Sequence, residues 1–270
     1  MILWVDGAHD TAENMRRDAC LLARAEKGGG PVLRLFLFEP AGITLGMNQD
    51  PERELDLERC RADGVSWAVR PTGGRAIFHA EEWTFSLAAR VSDPGWGGQA
   101  AESYRLLGGV IVSSFRRLGI PADLARGRPR LPRHAGEEVR SSGPASPCFA
   151  STARHEIVLE GRKLVGTAQR RTRLGLLQQG SVLLGPGHLR LADYLLLPQP
   201  ARARVRLALA AAAQDAGQWV AAGAPLGLWA EALRPGLPAE TRVLEGMAGA
   251  FLLTLPEAGS YTASLSQPEG

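Results

Sequence analysis

The chain alternates between two hydrophobic periods, one of about 3.6 residues and one of 2. "MILWV" reads as a short strand, after which Asp10 caps a helix running to about Lys27. Glu13 stands three residues after that cap, Ala12, Met15, Ala19 and Leu22 form one apolar face, and Gly28 to Gly30 end the helix. "VLRLFLF" and "GITLG" read as strands, and "DPERELDLERCRADG" as one helix with Asp50 as cap, Pro51 in the first turn and Gly64 at the end. "VSWAVR" is a strand that stops at "PTGGR". "EEWTFSLAAR" alternates Trp83, Phe85 and Leu87 against Thr84, Ser86 and Ala88, which predicts a strand with one buried face.

A helix from about Gln99 to Leu118 follows, and then "HEIVLE", "KLVGTAQRR" and "GLLQQGSVLL" predict three consecutive antiparallel strands. Gly161 and Arg162 form the first tight turn, with glycine at the first central position of a type II′ hairpin. From about Leu189 to the end the chain is Ala/Leu/Arg-rich and reads as mostly helical, "PLGLWAEALRPG" and "PAETRVLEGMAGAFLLTL" being the clearest segments. Helices mixed with hairpins, without regular strand–helix alternation, give an α+β fold rather than a doubly wound sheet.

With 270 residues, 45% hydrophobic, 6% aromatic and 22% charged, the composition is that of one globular domain able to bury a sizeable core. Cys20, Cys60 and Cys148 are odd in number and far apart, so they suggest neither a disulfide framework nor a zinc site, and a reducing cytoplasm is expected. Cys20 and Cys60 lie inside helices and read as structural. "MILWVDGAHD" lacks the basic and then apolar pattern of a signal peptide, and no later stretch reaches the length of a membrane span. The net charge of +3 is small, so its local excess in "RGRPRLPRHAGEEVR", Arg126 to Arg140, matters more. That segment reads as an exposed loop, either simply solvated or a landing site for an acidic partner.

Two stretches carry candidate chemistry. In "VRPTGGRAIFHAEEWTFSL" a double glycine lets backbone N–H groups approach a ligand, and Arg70 and Arg75 could neutralise an anion. The same Thr-Gly-Gly also suits a plain hairpin turn, and His79 suits a structural histidine. In "SSGPASPCFASTARHEIVLEGRKLVGTAQRR", Cys148 is either a small loop residue or a nucleophile, with Lys163 fifteen positions later as its activating charge.

Together these stretches resemble the lipoate-protein ligase and octanoyltransferase family. "RPTGGRAIFH" is similar to the family signature, "EGRKLVGTAQRR…GLLQQGSVLL" to its second block, and "ITLGMNQ" to a short earlier block, in the right order over roughly residues 1 to 190. The resemblance implies one catalytic domain over 1–270, with a helical C-terminal segment from about 190. It also implies a mixed, largely antiparallel sheet flanked by helices, related to biotin-protein ligases and class II aminoacyl-tRNA synthetases, and a tunnel for an octanoyl chain. "PCFAST" resembles the cysteine-dependent octanoyltransferases of the lipoate ligase A type, in which the cysteine precedes the first strand of the meander and the lysine follows on the next. The chain ends about 80 residues beyond the meander, so no accessory ligase domain is expected.

The activity implied by the resemblance is octanoyl transfer from acyl carrier protein through Cys148 to a lysine of a lipoyl domain, such as the glycine cleavage H protein, without cofactor or metal. A thiol of pKa about 8.5 is mostly protonated at neutral pH, and an ammonium group about 4 to 6 Å away favours the thiolate. Gly73 and Gly74 would line the acyl tunnel, Arg70 and His79 would shape the pocket, and Gly166 belongs to the second block. The chain departs from the family pattern at Ala80, where an aspartate is common, and at Gln179, where a histidine is common. Competing readings are an amidotransferase that takes its acyl group from a lipoylated protein, an ATP-dependent lipoate ligase, and a non-catalytic module that binds nucleic acid through the arginine loop. Neither nucleic acid nor membrane is expected as a partner.

Overall fold

The computed structural model describes residues 1–125 and 156–254. Cys148 and the Arg126–Arg140 segment lie outside the described residues. Among the described residues eleven strands run β1 Ile2–His9, β2 Val32–Phe38, β3 Gly42–Leu45, β4 Ser66–Val69, β5 Ile77–His79, β6 Glu82–Arg90, β7 Ala122–Leu124, β8 Ile157–Leu159, β9 Arg162–Arg171, β10 Gly175–Leu183 and β11 Arg242–Glu245. Eight of them form the main sheet in the order β11-β1-β2-β6-β10-β9-β8-β7, and three form a small sheet, β4-β3-β5. In the main sheet β11–β1 and β1–β2 are parallel and the other pairs antiparallel, so the fold is α+β with a mixed, largely antiparallel sheet.

Helix α1, Thr11–Glu26, starts where the Asp10 carboxylate accepts the Glu13 N–H at 2.7 Å. Its buried face is mixed rather than apolar: Met15, Leu21 and Leu22 lie beside buried Asn14, Arg17 and Asp18. The expected single helix after Asp50 is two, α2 Pro51–Glu54 and α3 Leu57–Ala62. The break has a tertiary cause. Leu55 is extended and bridges Leu195, the Leu196 N–H donates to the Glu54 carbonyl, and Asp56 caps α3 through the Arg59 N–H.

Strand β6 is central and buried on both faces, not on one. Trp83, Phe85 and Leu87 enter the largest apolar cluster, against α4 (Ala100–Arg117) and α7 (Leu226–Leu233). There the Trp229 ring stacks on Trp83 at 5.3 Å and on Phe115 at 6.0 Å. The opposite face of β6 meets α1. A second cluster joins the small sheet to α5 (Leu191–Tyr194) and α6 (Gln199–Ala212).

The turn between β8 and β9 is also displaced by one residue from the expected one. Leu159 pairs with Arg162, and the two residues between them, Glu160 and Gly161, have φ of 51° and 78°. Positive φ at both central positions makes it a type I′ turn. Near the C-terminus, the stretch expected to be helical supplies β11, parallel to β1, and then a 3-10 turn over Gly246–Leu253. Packing dictates this: Trp4 Nε1 donates to the Gly246 carbonyl at 2.9 Å, and a Cβ on Gly249 would sit 2.2 Å from that same nitrogen.

Candidate active site

A small cavity lies between the two sheets. Phe36, Thr84, Gly166, Gln179 and Ser181 form its main-sheet wall, and Thr44, Arg70, Ile77 and His79 form the opposite one. Strand register explains the first wall. Phe36 pairs with Thr84, Thr84 with Ser181, and Ser181 with Gly166, a row of neighbours across β2, β6, β10 and β9.

The glycine turn is built on Arg70. This buried guanidinium donates from Nε and Nη2 to the Gly73 carbonyl at 3.1 and 2.7 Å, and from Nη2 to the Arg75 carbonyl at 2.8 Å. Nη1 reaches the Thr44 carbonyl at 3.2 Å. Arg70 therefore templates the turn, where the sequence suggested a counter-charge for an anion. Gly74 has φ of +97°, which a side chain strains to adopt. Its carbonyl would lie 2.1 Å from a Cβ on Gly46, so "GITLG" and "PTGG" meet backbone to backbone. Gly73 and Gly74 stand outside the cavity lining, and a Cβ on Gly73 would meet no atom within 4 Å.

His79 is buried and engaged at both ring nitrogens. Nδ1 lies 2.6 Å from Glu82 Oε1 and Nε2 lies 2.7 Å from Thr44 Oγ1. The carboxylate oxygen accepts, which assigns the proton to Nδ1, and the Thr44 hydroxyl then donates to Nε2. Thr84 and Ser181 hydroxyls donate to the same Glu82 oxygen at 2.7 and 3.0 Å. Phe38 stacks on the imidazole at 3.8 Å. This geometry makes His79 a tie between the small sheet and the main sheet, and a wall of the cavity. Glu82, Thr84 and Ser181 escaped sequence reasoning because their alternation with apolar residues reads as a solvent-facing edge.

Lys163 is 2% exposed on β9, and its Nζ lies 2.6 Å from Glu156 Oε1. The strand slips register here: Ile157 pairs with Val165 but Val158 pairs with Lys163, leaving Leu164 as an extra residue. Leu164 and Val165 both enter the main core cluster. Two consecutive core residues invert the alternation, so Lys163 shares a face with Gly166, three positions on. In a regular strand these two would face opposite ways. Glu156 is the partner that sequence reading missed, since an acid beside a strand start is ordinary.

Of the described cysteines, Cys60 is buried on α3, and its thiol is pushed up to about 11, first by burial and then by the Asp56 and Asp63 carboxylates. Cys20 is half-buried on α1, with Arg16 Nη1 3.8 Å from its sulfur. Among the described residues no helix is long and apolar enough to cross a membrane.

Comparison with known proteins agrees with this geometry. Residues 10–206 match the family described as the lipoyl protein ligase A/B catalytic domain. The octanoyltransferase LipM of Kyrpidia tusciae is 38% identical over 179 residues, 66% of this chain and 64% of that one. The octanoyltransferase LipM of Bacillus subtilis is 34% identical over 203 residues, 74% of this chain and 71% of that one. The matched part thus spans about two thirds of these relatives' length. In fold, the chain resembles the bipartite lipoate protein ligase of Thermoplasma acidophilum, with a TM-score of 0.69 at 18% identity, covering 93% of this chain and 89% of that one. It also resembles an ATP-bound lipoate-protein ligase A, with a TM-score of 0.65 at 19% identity over 93% and 92% of the two chains. With the glycine turn, the inter-sheet cavity and the buried lysine falling within the matched region, the chain belongs to the lipoyl protein ligase A/B catalytic domain family.

Proposed function

We propose that this chain is an octanoyltransferase, moving an octanoyl group from a carrier-protein thioester through Cys148 to a lysine of a lipoyl domain. The observation that supports the reading is the β9 bulge, through which buried Lys163 shares a strand face with Gly166, a residue of the cavity wall. Support also comes from the relatives named octanoyltransferase LipM. The acceptor expected for such an enzyme is a lipoyl-domain protein such as the glycine cleavage H protein, and the donor expected is acyl carrier protein.

In the first half-reaction the Cys148 thiolate attacks the thioester carbonyl, the new C–S bond forms, and the carrier thiolate leaves and takes up a proton. In the second, the neutral amine of the acceptor lysine attacks the Cys148 thioester, an amide forms, and the Cys148 thiolate departs while the nitrogen loses a proton. Exchange between thioesters is nearly balanced and amide formation is downhill, so no ATP is consumed. Lys163 stabilises the thiolate and the oxyanion of each addition step. Arg70 and His79 hold the cavity walls, and Gly73 and Gly74 present a bare backbone at the acyl entrance.

Incubation with octanoyl-carrier protein and no acceptor should add one octanoyl mass, removable by hydroxylamine and absent in Cys148→Ser. An adduct that persists in Cys148→Ser overturns the assignment. Acylation that instead requires ATP and free acid identifies a ligase.

A further inference from the structure

Gln179 lies on β10, 7% exposed, and lines the cavity. Its amide joins two elements that share no strand pairing. Nε2 donates to Asp18 Oδ2 on α1 at 2.6 Å, and Oε1 accepts from the Thr72 hydroxyl at 2.6 Å. The acceptor-only carboxylate of Asp18 fixes which end of the amide is nitrogen. Asp18 is itself anchored, its Oδ1 accepting from Arg34 Nη1 at 2.8 Å and from the Ser86 hydroxyl at 2.7 Å. Thr72 immediately precedes Gly73, is wholly buried, and its carbonyl accepts from the Met47 N–H at 2.9 Å.

We infer that Gln179 is a positioning residue: it straps the Thr72–Gly74 turn to the main sheet and so sets the width of the gap that receives the acyl donor. Glutamine suits the task because it donates and accepts at once and does not titrate. Glutamate would place a carboxylate against Asp18. An apolar residue would leave Asp18 Oδ2 without this donor and the Thr72 hydroxyl without its acceptor in a buried place. Asparagine is one methylene too short to span both partners. The kinetic part of this inference rests on the octanoyl-transfer reading; the structural part does not.

The test compares Gln179→Leu and Thr72→Val, singly and together, by two measurements. Hydrogen exchange of the backbone amides over residues 72–76, in the chain without substrate, should accelerate about tenfold in each variant, since each frees the same turn. The KM for octanoyl-carrier protein should rise about tenfold with kcat nearly unchanged, and the double variant should be no worse than the worse single one. Thr72→Ser, which keeps the hydroxyl, should retain the exchange protection of the turn. Unchanged exchange in both single variants overturns the strap. Multiplying KM effects in the double variant also overturn it, because Gln179 then contacts the acyl chain itself. If Gln179→Leu does not fold, the contrast between Thr72→Val and Thr72→Ser decides. If the wild-type chain accepts no acyl group, the transfer reading fails while the exchange data still judge the strap.

Discussion

The two faces of β6 are buried to the same depth and built from opposite materials. On one, Trp83, Phe85 and Leu87 pack on α4 and α7, where indole and phenyl rings stack and the Trp229 N–H finds the Ser114 hydroxyl at 2.9 Å. On the other, Glu82 and Thr84 bond with each other, and Glu82 with His79 and Ser181, while Ser86 joins a second polar net that includes Asp6, Asp18, Arg34 and Gln179. Arg34 has no exposed surface, yet its guanidinium meets the Asp6 and Asp18 carboxylates at 2.7 and 2.8 Å and the Asn14 side-chain oxygen at 2.6 Å. Burial alone therefore does not distinguish a packing face from a working one. The first face makes contacts that need mainly volume, while the second makes contacts that need direction, and two of its members, Thr84 and Gln179, line the cavity.

The largest expected effect breaks the comparison most directly. Trp229→Ala should cost about 3–5 kcal/mol of stability by emptying a packed site. Arg34→Met should cost a similar 3–5 kcal/mol, because two buried carboxylates lose their shared cation. Urea unfolding gives both values, and turnover measured on the folded fraction should separate them. The Trp229 variant should keep its KM for donor, whereas the Arg34 variant should raise it, since Asp18 anchors the Gln179 strap. Equal KM changes would show that the two faces do not divide stability from function.

A smaller effect sharpens the working face. Removing one oxyanion donor is worth on the order of 3 kcal/mol in kcat, so Lys163→Ala should slow transfer by that amount and move the midpoint of Cys148 alkylation upward. Glu156→Gln should act in the other direction on the thiol, because Glu156 offsets the lysine's charge at 2.6 Å. Rates of iodoacetamide labelling against pH, with mass spectrometry to locate the label, provide the check. Cys60, its thiol pushed up to about 11, should stay silent near neutral pH, and locating the label separates half-buried Cys20 from Cys148. Identical profiles for wild type and Lys163→Ala would reduce the lysine to a positioning role.

This contrast also explains what the sequence could tell. Asp10 as cap of α1, α4 after Gln99 and the meander after residue 155 were legible, because caps and period-2 or period-3.6 patterns are local. Arg70, His79, Lys163 and Gly166 were legible as a set only through their resemblance to a family, and three of them, Arg70, His79 and Gly166, line one cavity. The partners that hold them were not: Glu82 for His79, Glu156 for Lys163, and Asp18 with Thr72 for Gln179. Each is an ordinary polar residue whose role depends on a neighbour in space, and none disturbs the local periodicity. The break at Leu55 and the pairing of β11 with β1 failed for the same reason, since distant segments made the choice.

The smallest effect probes where the polar face of α1 reaches solvent. Glu13 accepts from Arg16 at 2.6 and 2.7 Å and from Arg17 at 2.7 Å, and Arg17 in turn pairs with buried Asp6. Hydrogen bonding from Arg16, joined by Arg17 and opposed by partial burial, lowers the Glu13 carboxyl from its ordinary 4.5 to about 2. A depressed acid contributes stability above its unfolded pKa and loses it as pH falls through the folded one. The stability difference between wild type and Glu13→Gln should thus be constant above about pH 5 and vanish as the pH approaches 2. With Arg16 half exposed, the difference should stay under about 1 kcal/mol and shrink further in salt. If instead it persists undiminished in high salt, Glu13 acts through Arg17 on the buried net, and the polar face extends one turn further along α1 than its burial suggests.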